Sequence, residues 1–309
     1  MDNAHPVSLS GDLKAAGRLM RLASVASISV ALILSAAKAA AWLATDSVAM
    51  LSSLVDSALD LVSSLITFLA IRQAVQPADA EHRFGHGKAE ALAGVAQSGF
   101  IAASAGGVVL TVLDRYLHPR ALQAEMAGVA VSAVAVLLTV GLMALQGYVV
   151  RRTGSLAVTA DRAHYTTDLV TNIVVGIGLV ASSQLQQPLI DLVAALGVAA
   201  YLVSGAWSIA RTSVNVLMDR ELPDADRARI LSIVTRHPGV RSAHDLRTRS
   251  AGLTRFIQLH VVLQPTMSLG RAHVIGDSIQ SEILQAFPDA EVILHIDPWN
   301  DAEPRVAPD

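Results

Sequence analysis

The chain has no cysteine and is poor in charged and aromatic residues. Without cysteine, it can form neither a disulfide nor a thiolate metal site, so any metal must be bound by histidine, carboxylate or backbone oxygen. Charged residues make up only 16% of the 309 residues, and no basic run or patch indicates a nucleic-acid partner. A nucleophile–base arrangement, a phosphate-binding loop and an H-E-x-x-H pattern are also missing, which argues against an enzyme.

The rest of the composition predicts a membrane protein. Hydrophobic residues make up 52% of the chain, and the mean hydropathy is +0.48. Six apolar stretches are each long enough to span a bilayer as a helix, and they lie near 22–43, 47–71, 90–113, 124–149, 156–182 and 189–210. Eight basic residues lie on one side (Lys14, Arg18, Arg21, Arg72, Arg83, Lys88, Arg151, Arg152) and two on the other (Arg115, Arg120), which predicts cytoplasmic termini.

Two pairs of ionisable residues interrupt the second and fifth apolar stretches. Asp56 and Asp60 form one pair, and His164 and Asp168 form the other, each with i,i+4 spacing on one helix face. At ~1.5 Å per residue, Asp60, His164 and Asp168 lie roughly 17, 12 and 18 Å from the inner ends of their spans. If the two helices are neighbours, the four side chains can meet near mid-membrane. Three carboxylates and one imidazole would suit a divalent transition metal.

Other roles for these charges stay open from the residues alone. The aspartates could form a proton relay without metal or line a path for a monovalent cation. Asp161, one turn before His164, is either a partner of the site or a solvated residue near the inner end of its span. Lys38 lies near the outer end of the first span, where its side chain could snorkel, and we expect a structural role.

The segment between the second and third spans contains a local cluster of possible ligands. Asp79, His82 and His86 lie within eight residues of one another. One carboxylate and two imidazoles can bind a divalent metal loosely. The alternative is a solvated loop whose histidines lie close together by chance.

After about residue 212 the chain becomes polar and predicts a small soluble domain. Helices are predicted at Asp224–Arg236 and Arg271–Phe287, and strands at His244–Ser250, Thr254–Leu263 and Glu291–Ile296. This αββαβ order predicts two layers, with both helices on one face of the sheet.

The same domain contains four histidines and a carboxylate that could bind metal. His295 and Asp297 share a strand face because the side-chain period is two. Neighbouring strands could bring His244 and His260 close to them, and His273 lies on the second helix. Such histidines are often only surface residues, so metal binding and a solvated surface both stay open.

Several long stretches, in conserved chain order, resemble the cation diffusion facilitator family, and most closely its bacterial ferrous-iron/zinc efflux pump type. The resemblance extends from the first span to Asp297. The stretches that carry it are Leu54–Asp60, Gln76–Asp79, Phe84–Glu90, His164–Asp168, Ala243–Arg249 and Thr254–His260.

The resemblance implies an α-helical membrane protein with six transmembrane helices and a C-terminal cytoplasmic α+β domain (αββαβ, metallochaperone-like). The implied activity is alternating-access export of Zn2+, Cd2+ or Fe2+ against proton entry by a homodimer in the lipid bilayer of the bacterial inner membrane. The same metal would also be a regulatory ion. The expected domains are an N-terminal segment at 1–21, a transport domain at 22–212, a metal-binding dimerisation domain at 213–299 and a tail at 300–309.

The family's sites can be carried over residue by residue. The transport site corresponds to Asp56, Asp60, His164 and Asp168, the loop site to Asp79, His82 and His86, and the binuclear dimer-interface site to His244, His260, His273, His295 and Asp297. Lys88 and Asp219 match a pair that in this family links the membrane part to the tail across the dimer. Ile296 stands where close relatives have glutamine. The alternatives are a membrane-anchored metal sensor or scaffold without transport, and a proton antiporter for a non-metal cation.

Overall fold

A computed structural model describes residues 10–45, 48–117, 126–185 and 189–300. The chain divides into two compact units, one spanning Ala15–Val214 and the other built mainly from Asn215 onward. The division lies close to the domain boundary expected near residue 212. Most of the expected C-terminal tail, residues 1–9 of the expected N-terminal segment, and parts of the predicted spans at 47 and 124–125 lie outside the described residues.

Six long helices make up the described part of the first unit. They are α1 (Ser10–Thr45), α2 (Val48–Ala74), α3 (Ala89–Leu117), α4 (Met126–Thr153), α5 (Leu156–Leu185) and α6 (Leu189–Leu217). Each coincides with one predicted span, although α1 begins well before residue 22. Within the described residues, every one of these helices except α5 is long and apolar enough to cross a membrane by length and composition. The exception is α5, because its first half carries Asp161, Arg162, His164 and Asp168.

Polar contacts between small residues lie inside this helical unit, while large apolar side chains face outward. The hydroxyls of Ser27 on α1 and Ser64 on α2 are 2.9 Å apart, and Ser64 is 2.8 Å from the hydroxyl of Tyr165 on α5. By contrast, Leu137 and Trp207 are exposed. This is the arrangement expected of helices that pack closely through small residues in lipid.

The second unit has the predicted αββαβ order. Its elements are α7 (Asp224–Arg236), β1 (Ser242–Ala251), β2 (Thr254–Leu263), α8 (Leu269–Ala286) and β3 (Ala290–Pro298). The sheet order is β1-β2-β3, with β1 antiparallel and β3 parallel to β2. The parallel pair needs a long crossover, and α8 supplies it.

Both helices of this unit pack on one face of its sheet. Alternate residues of β2, including Ile257, Leu259 and Val261, form a buried core with Ile233 of α7 and Ile279 of α8. The intervening residues of β2 therefore point to the opposite face, because strand side chains alternate. That opposite face carries His260, which determines where a histidine cluster can form.

Candidate metal centres

Three of the four ionisable residues predicted in the membrane helices lie together. The Nε2 atom of His164 is 3.2 Å from Asp60 Oδ1 and 3.5 Å from Asp168 Oδ2. Each residue offers one ligand atom, and these three atoms all lie within 4.8 Å of one another. His164 is buried, while both aspartates are partly exposed. The i,i+4 spacing on α5 and the packing of α2 beside α5 produce this convergence.

Asp56 is the predicted ligand that the structure does not bring into this cluster. It lies one turn before Asp60 on α2, and its side chain is exposed. Four residues of helix rise displace it by about 6 Å along the axis. Its place in a four-ligand site therefore stays a prediction.

Asp161 is buried, so the structure excludes the solvated alternative for this residue. Its exposed fraction is 1%. Its Oδ2 accepts a 2.7 Å hydrogen bond from Gln146 Nε2 on α4, and its Oδ1 lies 3.4 Å from Gln97 Nε2 on α3. The hydroxyl of Thr67 on α2 donates to Oδ1 at 3.5 Å. The two glutamines were not singled out in the sequence, although amides inside apolar spans were a usable signal.

Lys38 connects α1 to α2. Its Nζ donates to Ser57 Oγ at 2.6 Å and to the Ser53 carbonyl at 3.2 Å. The lysine therefore bonds to the neighbouring helix, one residue beyond Asp56, and does not simply extend toward the membrane surface. These contacts agree with the structural role that we expect for Lys38.

A buried carboxylate at the start of α3 caps the start of α5. Glu90 is 3% exposed. It accepts hydrogen bonds from the hydroxyl of Ser155 and, at 3.3 Å, from the backbone N–H of Ala157. Ser155 directly precedes α5 and Ala157 is its second residue, and at this end of a helix unpaired N–H groups and the helix dipole favour a negative charge. Glu90 thereby fixes the helix that carries His164 and Asp168. The sequence pattern did not reveal this role.

The loop cluster also forms. His82 Nδ1 is 3.4 Å from Asp79 Oδ1, and His86 Nε2 is 3.3 Å from Asp79 Oδ2. The chain turns between the histidines at Gly85, whose φ of 75° favours glycine. The backbone N–H of His82 donates to Asp79 at 2.6 Å and holds the pKa of that carboxyl below its usual range. The site thus combines a carboxylate whose ionised form is favoured with two nearby imidazoles, and the imidazole of His86 is buried.

The sheet of the second unit brings three histidines into one row. His244, His260 and His295 are register partners across β1, β2 and β3. Asp297 Oδ2 lies 2.8 Å from His260 Nδ1 and 3.8 Å from His244 Nε2, while Asp297 Oδ1 lies 3.1 Å from His295 Nε2. The cluster lies on the face opposite the two helices. Strand pairing therefore places four of the five predicted tail residues together.

His273 is the fifth, and within one chain it lies outside the cluster. It is on α8, on the other side of the sheet, where its side chain is exposed and lies 3.6 Å from Asp277. Ile296 also faces the helix layer, because it packs against the buried core that α8 helps to form. The departure from glutamine at this position therefore leaves the ligand face intact.

Asp245 is a further carboxylate near the tail cluster that sequence reasoning missed. It lies in an irregularity of β1 and has a φ of 47°. Its Oδ2 is 3.9 Å from His260 Nε2. A hydrogen bond from Arg247 lowers the pKa of Asp245 below its usual range. Its position directly after His244 was the available signal.

The predicted charge pair joins residues of different compact units. Lys88 belongs to the first unit and Asp219 to the second. Within the second unit, Asp219 accepts a hydrogen bond from Arg249 at 3.3 Å. The pairing of Lys88 with Asp219 stays a prediction.

Comparison with known proteins identifies the family. A model described as the cation efflux transmembrane domain matches residues 24–218, and one described as the cation efflux protein cytoplasmic domain matches 222–299. The cation-efflux pump FieF of Klebsiella pneumoniae is 44% identical over 284 residues, covering 91% of this chain and 94% of that protein. FieF of Pectobacterium carotovorum is 43% identical over 281 residues, covering 91% and 93%. A solved structure of CzrB in its zinc form is 27% identical, covers 28% of this chain and 99% of that one, and has a TM-score of 0.26. The chain belongs to the cation efflux, or cation diffusion facilitator, family.

Proposed function

We propose that this protein exports divalent metal cations from the bacterial cytoplasm in exchange for protons, by alternating access across the inner membrane. The observation that carries the proposal is the convergence of Asp60, His164 and Asp168 inside the membrane helices. Burying these charges in a membrane is costly, so a functional role is favoured over a purely structural one. The match to a cation efflux transmembrane domain supports export as the direction of transport.

The donor set favours borderline transition metals as substrates. Imidazole nitrogen and carboxylate oxygen together suit Zn2+, and Cd2+ or Fe2+ can bind the same atoms. The contacts of 3.2 and 3.5 Å between His164 and the two aspartates mark where a cation would replace them. Asp56 lies one turn further along α2 and is proposed as the fourth ligand, joining when a bound cation draws its side chain inward.

Proton exchange follows from the chemistry of these ligands. A metal binds neutral imidazole and ionised carboxylate, so metal and protons compete for the same atoms. When the site faces the outside, proton entry favours release of the metal. When the site faces the cytoplasm, a cation displaces the protons. The gradient of protons would then drive export.

We propose that the protein works as a homodimer joined through its cytoplasmic domain. The matching domain model is a dimer domain. His273 is exposed and lies outside the cluster of its own chain. We propose that a second copy contributes its His273 to the row of His244, His260 and His295. Metal bound there would be regulatory and would act on the membrane part through the Lys88–Asp219 pair. Both termini would lie in the cytoplasm.

Flux measurements on reconstituted protein test the transport proposal. Proteoliposomes containing a metal-sensitive dye would be tested with Zn2+, Cd2+, Fe2+ and Mn2+. We expect Asp168→Ala to abolish transport, whereas Asp224→Ala, which removes an exposed carboxylate on α7, should transport like wild type. If Asp168→Ala transports at the wild-type rate, the assignment of the site is wrong.

A separate comparison tests the regulatory role of the tail. The double variant His260→Ala, Asp297→Ala loses two residues of the tail cluster. We expect its export to depend differently on metal concentration from that of wild type, with similar rates when metal is saturating. If the dependence is unchanged and the dimer is intact, the tail metal only stabilises the protein.

A further inference from the structure

Asp161 is a buried carboxyl in the membrane helices that the proposed metal site does not use. It lies on α5, three residues before His164, which places it about 4.5 Å nearer the start of the helix. It is 1% exposed. A carboxyl at such a position is costly when ionised unless other groups compensate for its charge.

Among the described residues, the side chains that hydrogen-bond to Asp161 are uncharged and come from three other helices. The shortest bond is the 2.7 Å contact from Gln146 Nε2 on α4. Gln97 on α3 and Thr67 on α2 contact the other carboxyl oxygen. Neutral donors stabilise a carboxylate but do not neutralise it. The protonation state of the Asp161 carboxyl therefore depends on the ionisable groups around it.

The same surroundings can also accept a hydrogen bond from protonated Asp161. Gln146 is fully buried, and its Oε1 has no hydrogen-bond partner among the described residues. A rotation of the amide would present this oxygen to a protonated Asp161, which could then donate to it. One side chain therefore serves both protonation states, as donor to the carboxylate or as acceptor from the acid.

Ionisable neighbours couple Asp161 electrostatically to the proposed metal site. His164 and Tyr165 on α5 interact electrostatically with Asp161, and Asp60 on α2 contacts His164 at 3.2 Å. Arg162 is adjacent in sequence but exposed, and its guanidinium packs beside Gly147 on α4. A divalent cation bound to His164 would add positive charge about one helical turn from Asp161 and would favour its ionised form.

We propose that Asp161 is a proton-carrying residue of the transport cycle, separate from the metal ligands. This inference rests on the proposed metal–proton exchange. With the metal site empty, the carboxyl of Asp161 holds a proton. When a cation binds at Asp60, His164 and Asp168, the O–H bond of Asp161 breaks, the electron pair stays on the carboxylate, and the proton passes to water on the side from which the cation entered. The reverse step reloads the proton when the cation leaves.

Counting protons during metal binding tests this proposal. Zn2+ would be titrated into the full-length protein calorimetrically, in buffers that differ in ionisation enthalpy. The dependence of the measured heat on the buffer gives the protons released per metal ion. We expect Asp161→Asn to bind Zn2+ at the wild-type stoichiometry and to release about one proton fewer. The control Asp224→Asn makes the same change on the exposed surface and should release the wild-type number.

The outcomes separate this inference from the proposed function. If wild type neither binds nor transports metal, the proposed function fails. If wild type transports and Asp161→Asn releases the same number of protons, the role of Asp161 is overturned. If Asp161→Asn does not fold, the Gln146→Leu variant tests the proposal instead. This variant removes the amide that donates to Asp161, which disfavours the carboxylate form of Asp161. We then expect the pH profile of flux to move to higher pH, and an unchanged profile would also overturn the proposal.

Discussion

Replacing Glu90 by alanine should loosen the start of α5 and thereby weaken transport at a distance. Glu90 lies on α3 and is not one of the candidate metal ligands. It acts on the site indirectly, because it caps α5, the helix that carries His164 and Asp168. Alanine would leave the Ser155 hydroxyl and the Ala157 N–H without their buried acceptor. Each unpaired buried donor costs about 1–3 kcal/mol, so we expect the two donors together to cost roughly 2–6 kcal/mol.

The assay is thermal unfolding of the purified protein in detergent, with flux measured in parallel. For a helical unit of this size, roughly 2–6 kcal/mol corresponds to a fall in Tm of about 4–24 °C. Glu90→Gln keeps an acceptor oxygen and should lose less. The control Glu81→Ala removes an exposed acid of the neighbouring loop and should change stability by no more than about 0.5 kcal/mol. An unchanged Tm for Glu90→Ala would refute the capping argument.

Two further variants test the packing of the helices and the chemistry of the loop. A Cβ on Gly94 would lie 2.2 Å from Ser213 Oγ on α6, so Gly94→Ala should displace the Ser213 side chain and lower Tm, whereas Gly106→Ala, with no atom within 4 Å, should not. Because the backbone N–H of His82 lowers the pKa of Asp79, the carboxylate stays ionised as pH falls to about 5. Asp79→Asn should therefore weaken Zn2+ binding at the loop by a similar factor at pH 6 and pH 8, measured by calorimetry, and a factor that disappears at pH 6 would contradict this.

Local sequence patterns were sufficient for the helices, the strands and most of the ligand clusters. The predicted bounds of α7 are those observed, because Pro223 and the His237-Pro238-Gly239 turn delimit its apolar repeat. The i,i+4 spacing of His164 and Asp168 determined their shared face without knowledge of the fold. Strand alternation likewise predicted that His295 and Asp297 share a face, and the pairing of the strands places His260 beside them.

The remaining features depend on partners that are distant in sequence. Glu90 is 65 residues from Ser155, and Gln97 is 64 residues from Asp161, so no local period relates them. The single chain also leaves His273 away from the histidine row, a separation that only the position of α8 determines. Sequence reasoning identified the candidate metal ligands, but not the neutral and acidic side chains that position them.

The most direct test of the central claim is simultaneous measurement of metal flux and internal pH in proteoliposomes under an imposed pH gradient. The account predicts that wild type moves Zn2+ against a counterflow of protons and that reversing the gradient reverses the metal flux. Asp60→Ala should abolish both movements, because it removes a carboxylate 3.2 Å from His164. Metal flux that is independent of the imposed pH gradient, or that persists in Asp60→Ala, would contradict metal–proton exchange at this site.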